Sequence, residues 1–343
     1  MKKLLSLFLV ALLALPLAGC NAKYQKFTDY SFDSFDTVTT IIGFEKDKQV
    51  FDQNCQKIKA WLLEYHKLYD IYKAYDGVTN LYTVNRSQGT AVKTDSKIID
   101  LLKYSKNLYT KTNGKLNVAL GSVLSIWHDY RAQGLNDPAN AVLPPIKLLK
   151  NAAPHTRFED VIIDSAAQTV LIKDKSLTLD VGAIAKGYAT EQVAKRMLDN
   201  GISGYILNIG GNVKIVGARP DGGKWAIGIE NPDRSSSEAY VEELQLDKMS
   251  LVTSGSYQRF YTVNGKNYNH IIDPDTLYPA EFFASVSVLC EDSALADGLS
   301  TTLFCMPYED GKKLVEGFEG VHAMWVTPNG EKLYSKEFKA YIK

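Results

Sequence analysis

The 343 residues carry 39 Lys+Arg against 39 Asp+Glu, with 45% hydrophobic and 23% charged residues and 4 Cys. This is the composition of an ordinary globular chain, which excludes a disordered, fibrous or disulfide-stapled protein and leaves enough length to bury a substantial core. A formal net charge of zero gives no electrostatic drive toward nucleic acid, whose phosphates attract clustered Lys and Arg.

Lys2 and Lys3 precede an apolar run over residues 4–18. It is too short to span a hydrocarbon core comfortably and is interrupted by Pro16, the layout of a secretory signal. The run ends in Leu17-Ala18-Gly19-Cys20, which resembles the lipobox of bacterial lipoproteins, where cleavage before the cysteine leaves it lipidated. Residues 1–19 therefore read as a signal peptide, Cys20 as the lipidation site, residues 20–30 as a lipidated polar tether and residues 31–343 as the folded domain. The implied location is extracytoplasmic, lipid-anchored to a bacterial membrane. With Cys20 acylated, Cys55, Cys290 and Cys305 remain; at most one disulfide is possible, and apolar surroundings favour buried thiols. The histidines, His66, His128, His155, His270 and His322, are scattered without zinc spacing.

Residues 37–44 are β-branched and strand-like, and residues 49–72 place Ile58, Trp61, Leu62, Tyr65 and Leu68 at helical spacing. A second helix is predicted over 96–111, a loop at Pro144-Pro145, and strands over 161–163 and 169–172. Residues 178–190, Thr-Leu-Asp-Val-Gly-Ala-Ile-Ala-Lys-Gly-Tyr-Ala-Thr, read as a strand entering a helix through a turn of small residues, the helix ending near Asp199-Asn200-Gly201. Such a junction leaves unpaired backbone N–H groups that a phosphate can approach. The spacing matches neither a Rossmann fingerprint nor a Walker loop, and tight packing at Gly182 and Gly187 accounts for the same residues.

Residues 205–209, a Gly210-Gly211-Asn212 turn and residues 214–216 predict a hairpin, followed by a strand over 225–229. Further on lie residues 254–260, an Asn264-Gly265 turn and Asn269-His270-Ile271-Ile272-Asp273-Pro274, then a strand over 284–289 and a helix over 294–304. The helix places Asp297 and Thr301 one turn apart on one face. A carboxylate and a hydroxyl so placed can grip a hard cation such as Mg²⁺, although capping or helix packing accounts for the pair equally. Irregular alternation of strands, hairpins and helices, without internal repeats, predicts an α+β fold rather than a doubly wound parallel sheet.

Together these segments resemble the ApbE family of bacterial flavin transferases. The resemblance runs over essentially the whole mature chain, from Phe35-Asp36-Thr37 onward. Its specific parts are residues 179–189, Asn208-Ile209-Gly210-Gly211-Asn212, Ser254-Gly255-Ser256-Tyr257, His270-Ile271-Ile272-Asp273-Pro274 and Ala296-Asp297-Gly298-Leu299-Ser300-Thr301. It implies a single two-lobed α+β domain with mixed or antiparallel sheets and FAD in the cleft between lobes. It also implies that Asp180 and Lys186 contact FAD, that the Ala183 carbonyl joins Asp297 and Thr301 in holding Mg²⁺, and that Ile272 lines the flavin pocket. Phe35 takes the place where many relatives have Met. Tyr72 matches an aromatic that faces the flavin, with Tyr75 as a rival. Lys115, Leu116 and Asn117 match another cofactor-contacting segment, Asn117 standing where Asp is common and Leu277 where Gly is usual.

The implied activity is Mg²⁺-dependent transfer of FMN from FAD to a Thr or Ser of an acceptor flavoprotein carrying an [ST]-[GA]-A-T type motif, with AMP released. His270, the one histidine inside a flavin-pocket motif, is the candidate base, with Asp273 or Asp297 as alternatives. Asp297 is also catalytic through the metal. An FAD pyrophosphatase yielding FMN and AMP, or a non-catalytic flavin-binding lipoprotein, are the competing readings.

Overall fold

The computed structural model describes residues 23–87 and 89–343, so Cys20 and the signal segment lie outside the described residues. Its framework is an eight-stranded sheet in the order Gln25–Ser31, Thr39–Glu45, Tyr205–Ile209, Asn212–Val216, Ser250–Gly255, Ser285–Cys290, His322–Val326, Lys332–Tyr334. Every neighbouring pair is antiparallel. Antiparallel neighbours need no right-handed crossover helix, so the architecture is α+β and not doubly wound.

The helices Lys48–Tyr69, Ala185–Asp199 and Ser293–Phe304 pack on one face of this sheet. The hairpin of Trp225–Glu230 and Tyr240–Leu246 covers the other. Period-two alternation sorts the side chains: Leu207 joins the helical core with Ile58 and Val193, while its neighbour Ile206 meets Trp225, Ile229 and Leu244. A further apolar cluster under the helix Gly121–Asn136 joins Val123 and Trp127 to Tyr261 and Leu277.

The predicted second helix appears as Ser96–Lys111, capped by Asp95, whose carboxylate accepts from the Lys97 N–H at 2.8 Å. Elsewhere local chemistry overrode the pattern. The first helix stops at Tyr69 because the Asp70 carboxylate captures the N–H groups of Tyr72 (2.7 Å) and Lys73 (3.2 Å). Residues 178–181 form no strand. Leu179 is paired instead by the Asn85 amide, which accepts from its N–H at 2.7 Å and donates to its carbonyl at 2.9 Å. One side chain does there what a neighbouring strand would have done.

Among the elements absent from the sequence reading, two bear on the site and its approach. Gln25–Ser31, all but its last residue within the span expected as tether, is an edge strand paired along its length with Thr39–Glu45; its mostly exposed side chains carry no apolar alternation. The helix Gly121–Asn136 buries only Gly121, Val123, Trp127 and Gly134, too few to print a helical period.

Candidate active site

The helix Ser293–Phe304 is apolar and buried on nearly all sides. Asp292 caps it, its Oδ1 accepting from the N–H groups of Ala294 (2.7 Å) and Leu295 (3.2 Å). Within it Asp297 is only 4% exposed. Its Oδ2 accepts from the Gly187 N–H at 2.7 Å and the Asn212 amide at 3.2 Å, and Oδ1 has no hydrogen-bond donor among the described residues. Burial raises its pKa, opposed by the Lys186 charge, the Gly187 N–H and Asn212. Gly187 is required for this approach, since a Cβ there would stand 2.3 Å from both the Asp297 Cβ and the Ser293 carbonyl oxygen.

The capture of the Gly187 N–H has a second effect. In an α-helix that group would bond the carbonyl four residues earlier, which is Ala183. Among the described residues nothing donates to the Ala183 carbonyl, and the N–H groups of Ala183 and Lys186 find no acceptor. The turn before the helix Ala185–Asp199 therefore presents both a free carbonyl and an anion-binding helix start. Asp180 shapes that turn by accepting the Gly182 N–H at 2.8 Å; burial raises its pKa, against the Gly182 bond and the charges of His128 and Arg131.

Ala183, Lys186, Asp297 and Thr301 line one cleft with a cavity volume of ≈ 270 Å³. Thr301 Oγ1 lies 3.4 Å from Ser254 Oγ. The neighbouring Ser300 hydroxyl is spent on Ser254 (2.8 Å) and the Asp297 carbonyl (3.0 Å). One unbonded carboxylate oxygen, one hydroxyl and one carbonyl form a hard-oxygen donor set suited to Mg²⁺. The described residues hold no cluster of three or more His, Cys, Asp or Glu that could cage a metal alone.

The cleft is also lined by Tyr72 and, on the helix Gly121–Asn136, by Leu124, Trp127, His128 and Arg131. The Tyr72 and His128 rings lie 5.3 Å apart, and Arg131 Nη2 is 3.2 Å from His128 Nδ1. Tyr75 does not line the cleft: its hydroxyl donates to Asp70 Oδ2 at 2.8 Å and lies 3.0 Å from His66 Nε2. Phe35 does not line it either. It takes a left-handed conformation, φ 58°, its N–H donates to His66 Nδ1 at 3.1 Å, and its ring packs on the His66 ring.

Lys115, Leu116, Asn117, Asp180 and Ile272 all reach the cleft. The Lys115 ammonium bridges Asp273 and Asp275, each at 2.8 Å, and donates to the Cys305 carbonyl at 3.0 Å. Burial works against that charge, and the two carboxylates more than offset it, raising its pKa. Asp273 is thus spent on Lys115 and is no candidate base. Asn117 donates to the Thr156 carbonyl at 2.9 Å and accepts from the Ala119 N–H at 2.9 Å, a donation that aspartate could not make.

His270 bonds through Nδ1 to the Arg259 carbonyl at 3.1 Å. A carbonyl only accepts, so Nδ1 carries the proton and Nε2 the lone pair. Burial, followed by the charges of Arg259, Arg131 and Lys186, pushes its pKa down to about 4. Leu277 has φ 63°; its carbonyl accepts from the Trp127 indole N–H at 2.8 Å.

Trp127, His128, Arg131 and Arg259 were missed from sequence. Arg131 and Arg259 form no ion pair with a carboxylate among the described residues; burial and then Arg259 lower the Arg131 pKa. The signal available was the i, i+4 pair Trp127 and Arg131, which share a helix face.

The eight-stranded antiparallel sheet and the helices packed on it make an α+β fold that solved ApbE proteins share. The crystal structure of the ApbE protein of Thermotoga maritima matches with a TM-score of 0.80 at 25% identity, covering 94% of this chain and 100% of that one. The chain belongs to the ApbE family, whose profile matches residues 35–325. An FAD:protein FMN transferase of Haemophilus influenzae is 27% identical over 322 residues, 92% of this chain and 91% of that protein. One of Vibrio cholerae is 32% identical over 263 residues, 75% of each.

Proposed function

We propose that the protein is an FAD:protein FMN transferase that moves FMN from FAD to a Thr or Ser side chain of an extracytoplasmic partner, releasing AMP. Two relatives bearing that name across most of their length support this reading. The observation that carries it is the Gly187 N–H held by Asp297, which leaves the Ala183 carbonyl and an open helix start beside the carboxylate. Asp297, Thr301 and the Ala183 carbonyl would hold Mg²⁺, which supplies Lewis-acid neutralisation of pyrophosphate charge. The lipobox at residues 17–20 supports a lipid anchor on Cys20.

The chain's own groups account for the remaining chemistry. Lys186 and the open N–H groups of the turn stabilise charge on phosphate oxygens. Asp180 and Lys186 bind the dinucleotide, while Tyr72, Leu116 and Ile272 offer apolar surface to the flavin rings. His270 Nε2 takes the proton from the acceptor hydroxyl. The oxygen then bonds to the FMN-side phosphorus, and the bond from that phosphorus to the bridging oxygen breaks, with its electron pair leaving on AMP.

The test is incubation of the protein with FAD, Mg²⁺ and a peptide carrying an [ST]-[GA]-A-T type segment. A fluorescent flavin adduct on the peptide, abolished by chelator, is the expected result. Free FMN without adduct would instead mark a pyrophosphatase, and FAD intact after hours a passive binder.

A further inference from the structure

Behind the cleft, outside its lining, lies a buried charged group that the chemistry above does not use. Glu191 is 7% exposed, one helical turn after Gly187. Its Oε2 accepts from the backbone N–H of Ser293 at 2.9 Å and pairs with the Lys214 ammonium at 3.0 Å. Lys214 is in turn anchored on the Glu291 carbonyl. Burying this pair away from water is costly, and well-packed apolar residues of similar volume often serve stability as well or better. Burial therefore points to a demand for position.

That demand is visible in the spacing. Gly187 and Glu191 are four apart on one helix; they grip Asp297 and Ser293, four apart on the other. Both bonds use a backbone N–H on one side and a carboxylate on the other, with the roles exchanged between the helices. Two contacts a turn apart fix both the sliding and the rotation of Ser293–Phe304 against Ala185–Asp199, which one contact could not do. The Glu191 charge also lies at the positive end of the Ser293–Phe304 helix, beside the Asp292 cap.

We propose that Glu191 is a positioning residue for the cation site: it locks the register in which Asp297 and Thr301 face the Ala183 carbonyl. This rests on the Mg²⁺ reading above. Glu191→Ala releases the Ser293 end and leaves Lys214 unpaired, whereas Glu191→Gln keeps an oxygen for the Ser293 N–H and loses the charge.

The experiment titrates Mg²⁺ against the melting temperature of the full protein with ADP present, a pyrophosphate that carries no flavin. FMN transfer is followed separately over the same Mg²⁺ range. Glu191→Ala should need at least about tenfold more Mg²⁺ for half-maximal thermal stabilisation and for half-maximal transfer, with transfer partly recovered at saturating Mg²⁺; Glu191→Gln should need about threefold more. An unchanged Mg²⁺ midpoint in either folded variant, whatever happens to its metal-free melting temperature, would make Glu191 merely structural and overturn the proposal. If Glu191→Ala does not fold, Glu191→Gln carries the same comparison. A native protein whose melting with ADP ignores Mg²⁺ would overturn the cation site itself and this proposal with it, even if peptide flavinylation is observed.

Discussion

In the wall of the cleft built by Ala185–Asp199 and Ser293–Phe304, functional atoms are held by main-chain hydrogen bonds inside a nearly dry helix contact, where even a methyl group at Gly187 has no room. In the wall built by Gly121–Asn136 and the turn after Asp70, side chains ride on lightly buried elements, and Tyr72 is 59% exposed. The first wall has one permitted arrangement. The second is set by ring contacts, by the indole bond from Trp127 to Leu277, by the Arg131–His128 contact and by the Asp70 carboxylate under Tyr72. Stabilising charge on a reacting phosphate requires preorganised donors, whereas gripping an aromatic ring tolerates slack. Changes in the first wall should therefore strike the rate, and changes in the second the affinity.

The sharpest attempt to break this contrast is Asp297→Ala. It removes the only carboxylate assigned to Mg²⁺ and should lower transfer by on the order of 10³-fold or more, with native near-ultraviolet circular dichroism retained. Measurable turnover near the native rate would end the assignment of the tight wall.

His270→Ala should slow transfer by roughly 10²- to 10⁴-fold while FAD affinity, read by flavin fluorescence, changes little. The same residue fixes the pH profile. Because its pKa is lowered to about 4, the base form persists as pH falls through the ordinary histidine range and is lost only on approaching that value. The rate of the native enzyme should be level near neutrality and decline toward pH 4; an acid limb centred on the ordinary histidine value would remove His270 from this role.

The smallest effect is expected at Leu277→Gly. Glycine would relieve about 1–2 kcal/mol of left-handed strain, yet a buried leucine contributes roughly 2–3 kcal/mol and its loss leaves a cavity. Burial wins, so urea unfolding should show a net loss of about 1–3 kcal/mol. Displacement of Trp127 should weaken FAD binding with kcat nearly unchanged, which is the signature assigned to the looser wall.

The same contrast explains what could be read in the amino-acid order. Residues 179–189 and 296–301 stood out as motifs, whereas their meeting at one site came from the family resemblance and not from spacing. Trp127, His128 and Arg131 lie on a helix with too little buried surface to show a period, and the i, i+4 spacing of Trp127 and Arg131 was the one faint local mark. The turn at residues 178–181 misled because its partner, the Asn85 amide, comes from 94 residues away in sequence. Phe35 was placed by family pattern, and only the left-handed backbone beside His66 turned it from the cleft. Glu191 looked like any helical acid until Ser293 arrived from the other end of the chain.

Cys55, Cys290 and Cys305 are all free and buried, in the first long helix, a central strand and the end of the Asp297-bearing helix. Burial shields all three thiols from solvent and pushes them above the ordinary thiol range, which disfavours the reactive thiolate. Each becomes available to an alkylating reagent only when its own element opens. These three thiols of the described residues are silent clocks, and the order in which they are labelled would report which part of the fold gives way first.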